Sequence, residues 1–262
     1  MHRGQVSRFV EEIQASGRFV FTADELVSRG YAGEALEASL RRYAATGAIT
    51  RIAPRSPTFL IVPPEHRWYG APPVDWWLDD VMARQGRPYY LSLLSAAAEH
   101  GSSHFAVMET QVVTTKVMPP IRLGKIVVRF FQKAAAEATP IESRQKQWAP
   151  LKVSTPEATV IDILQFRPCG VARAAMILSD LSRRFRKPNL IEALDATAET
   201  TTAQRLGYLL QYRGADTLAS IVEGWLSTRR TQPVDLEAGG GGAWAVDRRW
   251  LVKVNAKLEA AS

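Results

Sequence analysis

The chain has a single cysteine, Cys169, among 262 residues. No intrachain disulfide and no cysteine-rich metal site can be built from it, which suits a reducing cytoplasm. Long hydrophobic runs are missing too, and no apolar stretch approaches the length of a membrane span. The opening residues, MHRGQVSRFVEEIQ, are interrupted by charge and do not read as a secretory signal. Phosphate-cradling and nucleophile motifs are absent: there is no P-loop, no G-x-G-x-x-G and no G-x-S-x-G. The glycines at 239–242 follow no strand-to-helix pattern and read as a flexible hairpin tip. No cofactor is expected. The N-terminal quarter lacks lysine: residues 1–65 hold eight arginines and seven carboxylates, a net of +1. The rest of the +7 surplus is shared by residues 66–160 and 161–262, +3 each. A polyanion therefore has more than one part of the chain to touch.

What is present begins with periodicity. Val6, Phe9, Val10 and Ile13 form an apolar stripe at helical spacing. Thr22-Ala-Asp-Glu25 reads as a capping box opening a short helix, and Gly30 turns into the next one. Leu36, Leu40 and Tyr43 then share a helix face that stops at Gly47. A two-strand hairpin follows to residue 62. Three helices and a wing predict a winged helix-turn-helix over residues 1–65, whose last helix lies in a DNA groove. The face opposite the stripe carries Glu34, Ala38, Arg41, Arg42 and Ala45. Arg41 and Arg42 are the candidate base or phosphate contacts, Glu34 and Ser39 lie near the helix start, and Arg51 and Arg55 belong to the wing. Such modules also dock proteins, and the thin net charge leaves that alternative open.

Pro63-Pro64 and Gly70-Ala-Pro-Pro73 place a linker at about 63–73, ahead of a larger domain filling residues 66–262. Its pattern predicts a helix over Val74–Gln85 docked by Trp76, Trp77 and Leu78, and another from Ser92 to His100. Strands are expected over Ala106–Val117, Ile121–Phe131 and Leu151–Val153. Ser154-Thr-Pro-Glu157 reads as a second capping box, opening a helix to Gln165. Further helices are expected over 171–184, 189–198, 203–213 and 216–228, and strands near Pro233–Glu237 and Trp250–Val254. Strands in a block followed by helices in a block argue an α+β class.

Reactive constellations are weak. His100 and His104 have the i, i+4 spacing of a metal pair, but Gly101 breaks their helix and no third ligand joins them. Glu109, Gln111 and Lys116 faintly echo a metal-dependent nuclease strand, with Lys116 out of phase. No catalytic residue and no metal site is assigned. Asp162, inside the capped helix, reads as solvent-facing. The run Arg183-Arg184-Phe185-Arg186-Lys187 is the densest basic cluster, a solvated helix end or a contact to a polyanion or acidic partner.

Several local patterns together resemble one family. Leu40-Arg-Arg-Tyr-Ala-Ala-Thr-Gly47 with Ile49-Thr-Arg51-Ile52 is similar to the end of the winged helix in AbiEi-type antitoxins of type IV toxin–antitoxin systems. Tyr89-Tyr90-Leu-Ser92 through Gly101, Val153 through Asp162, Arg205-Leu-Gly-Tyr-Leu-Leu210 with Gly214, and Arg249-Trp250 through Asn255 resemble later segments of the same family, in the same order. One departure is Pro54-Arg55-Ser56-Pro57-Thr58-Phe59, where the family's wing carries Arg-Gly-x-Tyr. A proline-flanked tip is stiffer. The resemblance implies a non-enzymatic protein with two tasks. Its N-terminal domain would bind inverted repeats in double-stranded DNA and repress its own operon. Its C-terminal domain would counteract a nucleotidyltransferase-like toxin without requiring a stable complex. Two alternatives stand beside it: a ligand-responsive transcriptional regulator without a toxin partner, and an enzyme, such as a nuclease, in the C-terminal domain.

Overall fold

The computed structural model describes residues 5–102, 107–240 and 245–258. The chain opens with α1 (Gln5–Ala15), β1 (Val20–Thr22), α2 (Ala23–Ser28), α3 (Glu34–Ala45), β2 (Ile49–Arg51) and β3 (Thr58–Ile61). Thr22 caps α2 by accepting from the Glu25 amide at 3.3 Å. Gly30 and Gly47 take positive φ where the helices turn out. The three strands pair antiparallel in the order β1-β3-β2, with Phe21 opposite Phe59 and Val20 opposite Leu60.

That small sheet is buried on both faces, because successive side chains point to opposite sides. Phe21, Ile49, Phe59 and Ile61 pack with Phe9, Ile13, Leu36 and Leu40 of the helices. Val20 and Leu60, with Phe19 and Ile52, instead join a core made with Trp77, Leu78, Val81, Val112, Leu123 and Val128. The N-terminal unit is thereby keyed into the core of the larger C-terminal part. The segment read as a linker is itself fastened: Pro64–His66 forms a 3-10 turn, Ala71 is buried, and the Trp77 indole donates to the Pro72 carbonyl at 3.1 Å.

Next come α4 (Leu78–Arg84), β4 (Tyr89–Leu91), α5 (Leu93–Glu99), β5 (Thr110–Thr114), β6 (Ile121–Leu123), β7 (Ile126–Gln132), β8 (Ile141–Gln145) and β9 (Pro150–Ser154). The strands form one mixed sheet, β6-β7-β5-β4-β9-β8, with β5/β7 and β4/β9 parallel. The expected helix over 74–85 is a 3-10 turn followed by α4. The stretch read as one strand, Ile121–Phe131, is a hairpin turning at Gly124.

A helical block comes after the sheet: α6 (Pro156–Phe166), α7 (Val171–Ser182), α8 (Lys187–Thr197), α9 (Thr200–Tyr212) and α10 (Asp216–Leu226). A small sheet of β10 (Val234–Asp235), β11 (Val246–Asp247) and β12 (Val252–Lys253) completes the described chain. α6 is apolar on nearly every side, so it is the buried axis around which α5, α7, α8 and α9 pack. The architecture is α+β, and no described helix is long and apolar enough to cross a membrane.

Candidate functional site

On α3 the buried stripe is Leu36, Ser39 and Leu40, with Tyr43 partly buried, and the outer face presents Glu34, Ala38, Arg41, Arg42 and Ala45 to solvent. Ser39 lies three residues after Leu36 and four before Tyr43, so the helical repeat turns it inward, at 7% exposure, away from the arginines. Arg41 and Arg42 make no ion pair among the described residues. Arg51 is partly committed: its guanidinium lies 4.4 Å over the Phe59 ring and donates to the Ser56 carbonyl at 2.5 Å. It braces the tip of the β2–β3 hairpin. Arg55 sits exposed at that tip with φ +64. Among the described residues, the outer face of α3 and the β2–β3 hairpin thus offer Arg41, Arg42 and Arg55 as uncommitted cations, beside the first-turn acids Glu34 and Glu37.

The C-terminal part holds a feature that local pattern did not show. Asp162 is fully buried, not solvent-facing. Lys133 donates to its Oδ1 at 2.8 Å, while Tyr90 and Ser92 hydroxyls donate to Oδ2 at 2.9 and 2.8 Å. Burial pushes the Tyr90 hydroxyl far above its usual range, and the Asp162 charge adds to this. Ser154 extends the network to Ser92 and Thr159. Here β4, the end of β7 and α6 are tied through one carboxylate, and the end of β9 joins them through Ser154. α6 is wrapped on all sides, which leaves Asp162 no solvent face.

Capping differs from expectation in the same region. Pro156 occupies the first turn of α6, so the N-cap is Thr155, which accepts from the Ala158 amide, and Ser154 is released to the buried network. Glu157 is buried and accepts from the Arg186 amide rather than closing a box. Ser92 does sit at the N-cap of α5, yet its hydroxyl goes to Asp162; Gln111 of β5 accepts from the Leu94 amide instead, at 2.9 Å.

His100 is buried between Arg144 and the Ser154 carbonyl. The arginine donates to Nδ1 at 2.7 Å, so Nδ1 is bare and Nε2–H donates to the carbonyl at 2.7 Å. Burial lowers the His100 pKa and the Arg144 charge adds to that, against the pull of the Ser154 bond. His104 lies outside the described residues, and no group of metal-ligating side chains occurs among those described. Glu109 pairs with Arg129 at 2.6 Å and Gln111 is buried at its capping task, whereas Lys116 is exposed, so that trio does not converge. In the basic run, Arg184 donates to the His100 carbonyl, while Arg183, Arg186 and Lys187 are exposed. Arg205 is buried with its Nε on the Asp235 carbonyl, and burial, with Arg167 nearby, pulls its pKa down to about 10.

Comparison with known proteins gives three results. A crystal structure of the RV2827C protein from Mycobacterium tuberculosis is 20% identical and superposes with a TM-score of 0.63 over 94% of this chain and 89% of that one, a likeness of fold. No curated protein matches the chain. The family model of the AbiEi antitoxin C-terminal domain matches residues 90–212, from Tyr90 of the buried network to the last turn of α9. Over those residues the chain is similar to the C-terminal domain of the AbiEi antitoxins.

Proposed function

We propose that this chain is an antitoxin that works in two parts. Residues 1–65 act as a winged helix-turn-helix that binds inverted repeats in the double-stranded DNA of its own operon and represses it. Residues 66–262 counteract a nucleotidyltransferase-like toxin encoded beside it, in the manner of type IV systems, in the cytoplasm. The observation that carries the DNA reading is the outer face of α3: Arg41 and Arg42 have no ion-pair partner among the described residues and stand on a helix whose other face is locked by Leu36, Leu40 and the wing sheet. A rigid helix presenting arginines is what major-groove reading needs. Glu34 at the helix start suits a cytosine amino group, and Arg55 suits phosphate beside the groove.

The test is binding of the intact protein to the DNA upstream of its own gene against a random duplex. Arg42→Ala should cost about 1–3 kcal/mol and relax sequence preference. Unchanged affinity and preference would remove α3 from the interface.

One observation favours a second reading, a ligand-responsive regulator. A groove of about 420 Å³ opens between α5 and the sheet, lined by Leu91, Ser95, Glu99, Met108, Lys125 and Lys146. A small molecule that raises the thermal midpoint and alters DNA affinity would support that reading.

A further inference from the structure

Between β3 and the large sheet, the chain makes a turn at Arg67, Trp68, Tyr69 and Gly70 that is held rigidly and points large groups outward. Trp68 is 76% exposed and Tyr69 49%. An exposed indole on a loose loop would be unremarkable, but this loop is locked. The Lys125 amide donates to the Tyr69 carbonyl at 2.8 Å, and Gly70 and Gly124 meet backbone to backbone. A Cβ on Gly124 would come within 2.3 Å of the Tyr69 oxygen, and one on Gly70 within 2.7 Å of the Gly124 Cα. Both glycines also have positive φ, +87 at Gly70 and +57 at Gly124. The lock brings Lys125 over Trp68, its Nζ 4.1 Å from the ring centroid. Arg67 and Lys125 lie at the surface, and neither is ion-paired to a carboxylate among the described residues. Ala71 and Leu123, flanking the lock, are in the same core as Ile52 and Leu60 of the wing sheet, so this platform is fixed to the N-terminal unit.

We infer that Arg67 and Lys125, with Trp68 beneath Lys125, form a DNA-backbone contact outside α3 and the wing. The inference rests on the reading of the chain as a DNA binder. Unpaired cations held by a backbone lock favour a polyanion, because phosphate contact requires charge in a fixed place and no particular base. Such a contact also makes up for the thin net charge of residues 1–65. Arg67 and Lys125 set orientation on the duplex, and α3 reads sequence.

The experiment measures affinity against salt for the intact protein, on the upstream DNA and on a random duplex. The double variant Arg67→Gln/Lys125→Gln should make the slope of log K against log salt shallower by about 1.8, at about 0.9 per phosphate contact. The loss should be equal on both duplexes, while Arg230→Gln, an exposed arginine elsewhere, should leave the slope in place. An unchanged slope in the double variant with an unchanged thermal midpoint overturns the inference. An unchanged slope with lost protection against the toxin overturns it in favour of a protein-docking face. If the wild-type protein shows no preference for its upstream DNA, the operator reading fails, and the slope on the random duplex still decides the phosphate contact.

Discussion

Asp162 receives an ammonium and two hydroxyls in a site with no access to water. Removing one member of a buried pair strands the other without solvent or partner. Asp162→Ala should therefore cost about 3–5 kcal/mol in a denaturant melt, and a loss below about 1 kcal/mol would show that the network is not holding β4, β7 and α6 together. His100 makes a pH-dependent contribution. Its folded pKa is below the ordinary histidine value of 6.5, so the unfolded chain takes up a proton first as pH falls. The stability it supplies is present above about pH 6.5 and is lost as pH drops toward its folded pKa. Thermal midpoints measured down through that window should fall more steeply for the wild type than for His100→Gln; parallel curves would contradict the assignment. The sequence carries a hint that Asp162 is buried. Val160-Ile-Asp-Ile-Leu164 is apolar around the acid, and a helix apolar on every side is a buried one. Its partner, Lys133, lies 29 residues away on another element, and such pairings leave no mark in local spacing.

Among the elements, those with a strong period were the legible ones. α1, α3, α6 and the four later helices appear close to their expected places because apolar residues recur at helical spacing in most of them and all but α8, which ends at Ala198, stop beside Gly, Pro or a polar cap. β4 and β8 were not read: Tyr89–Leu91 is three residues of unbroken burial, and Ile141–Gln145 is a polar edge strand. Neither alternates in a way that distinguishes it from a loop. On α3 the arginine face was readable, but the inward turn of Ser39 and the bracing of Arg51 depend on contacts with the sheet. Close packing at the other end of the molecule yields a sharper expectation. A Cβ on Gly207 of α9 would come within 2.0 Å of the buried Trp250 ring. Gly207→Ala should destabilise by about 1–3 kcal/mol through overpacking, visible as a lowered melting temperature; a neutral or stabilising change would mean that Trp250, just ahead of β12, yields easily.

For the molecule as a whole, the β1-β3-β2 sheet is the joint. One face of β1 and β3 belongs to the helices that would meet DNA, the other to the core under the large sheet. Glu25 of α2 reinforces this by accepting from Arg18 at 2.8 Å and from Arg84 of α4 at 2.6 Å. Partly exposed pairs of this kind add little energy, and the shared apolar core is the stronger tie. Leu60→Ala, at the centre of that joint, should cost about 2–5 kcal/mol and lower a single unfolding transition seen by both far-ultraviolet circular dichroism and tryptophan fluorescence. Two separated transitions would show that the parts fold independently. The central claim is that one rigid molecule carries two separable tasks, DNA binding on α3 and toxin neutralisation on the AbiEi domain. The most direct measurement co-expresses the neighbouring gene with either the wild-type chain or Arg41→Ala/Arg42→Ala, and reads growth together with a reporter driven by its own upstream DNA. The double variant should restore growth as the wild type does while the reporter is derepressed. Full repression by the variant, or no rescue of growth by the wild-type chain, would contradict it.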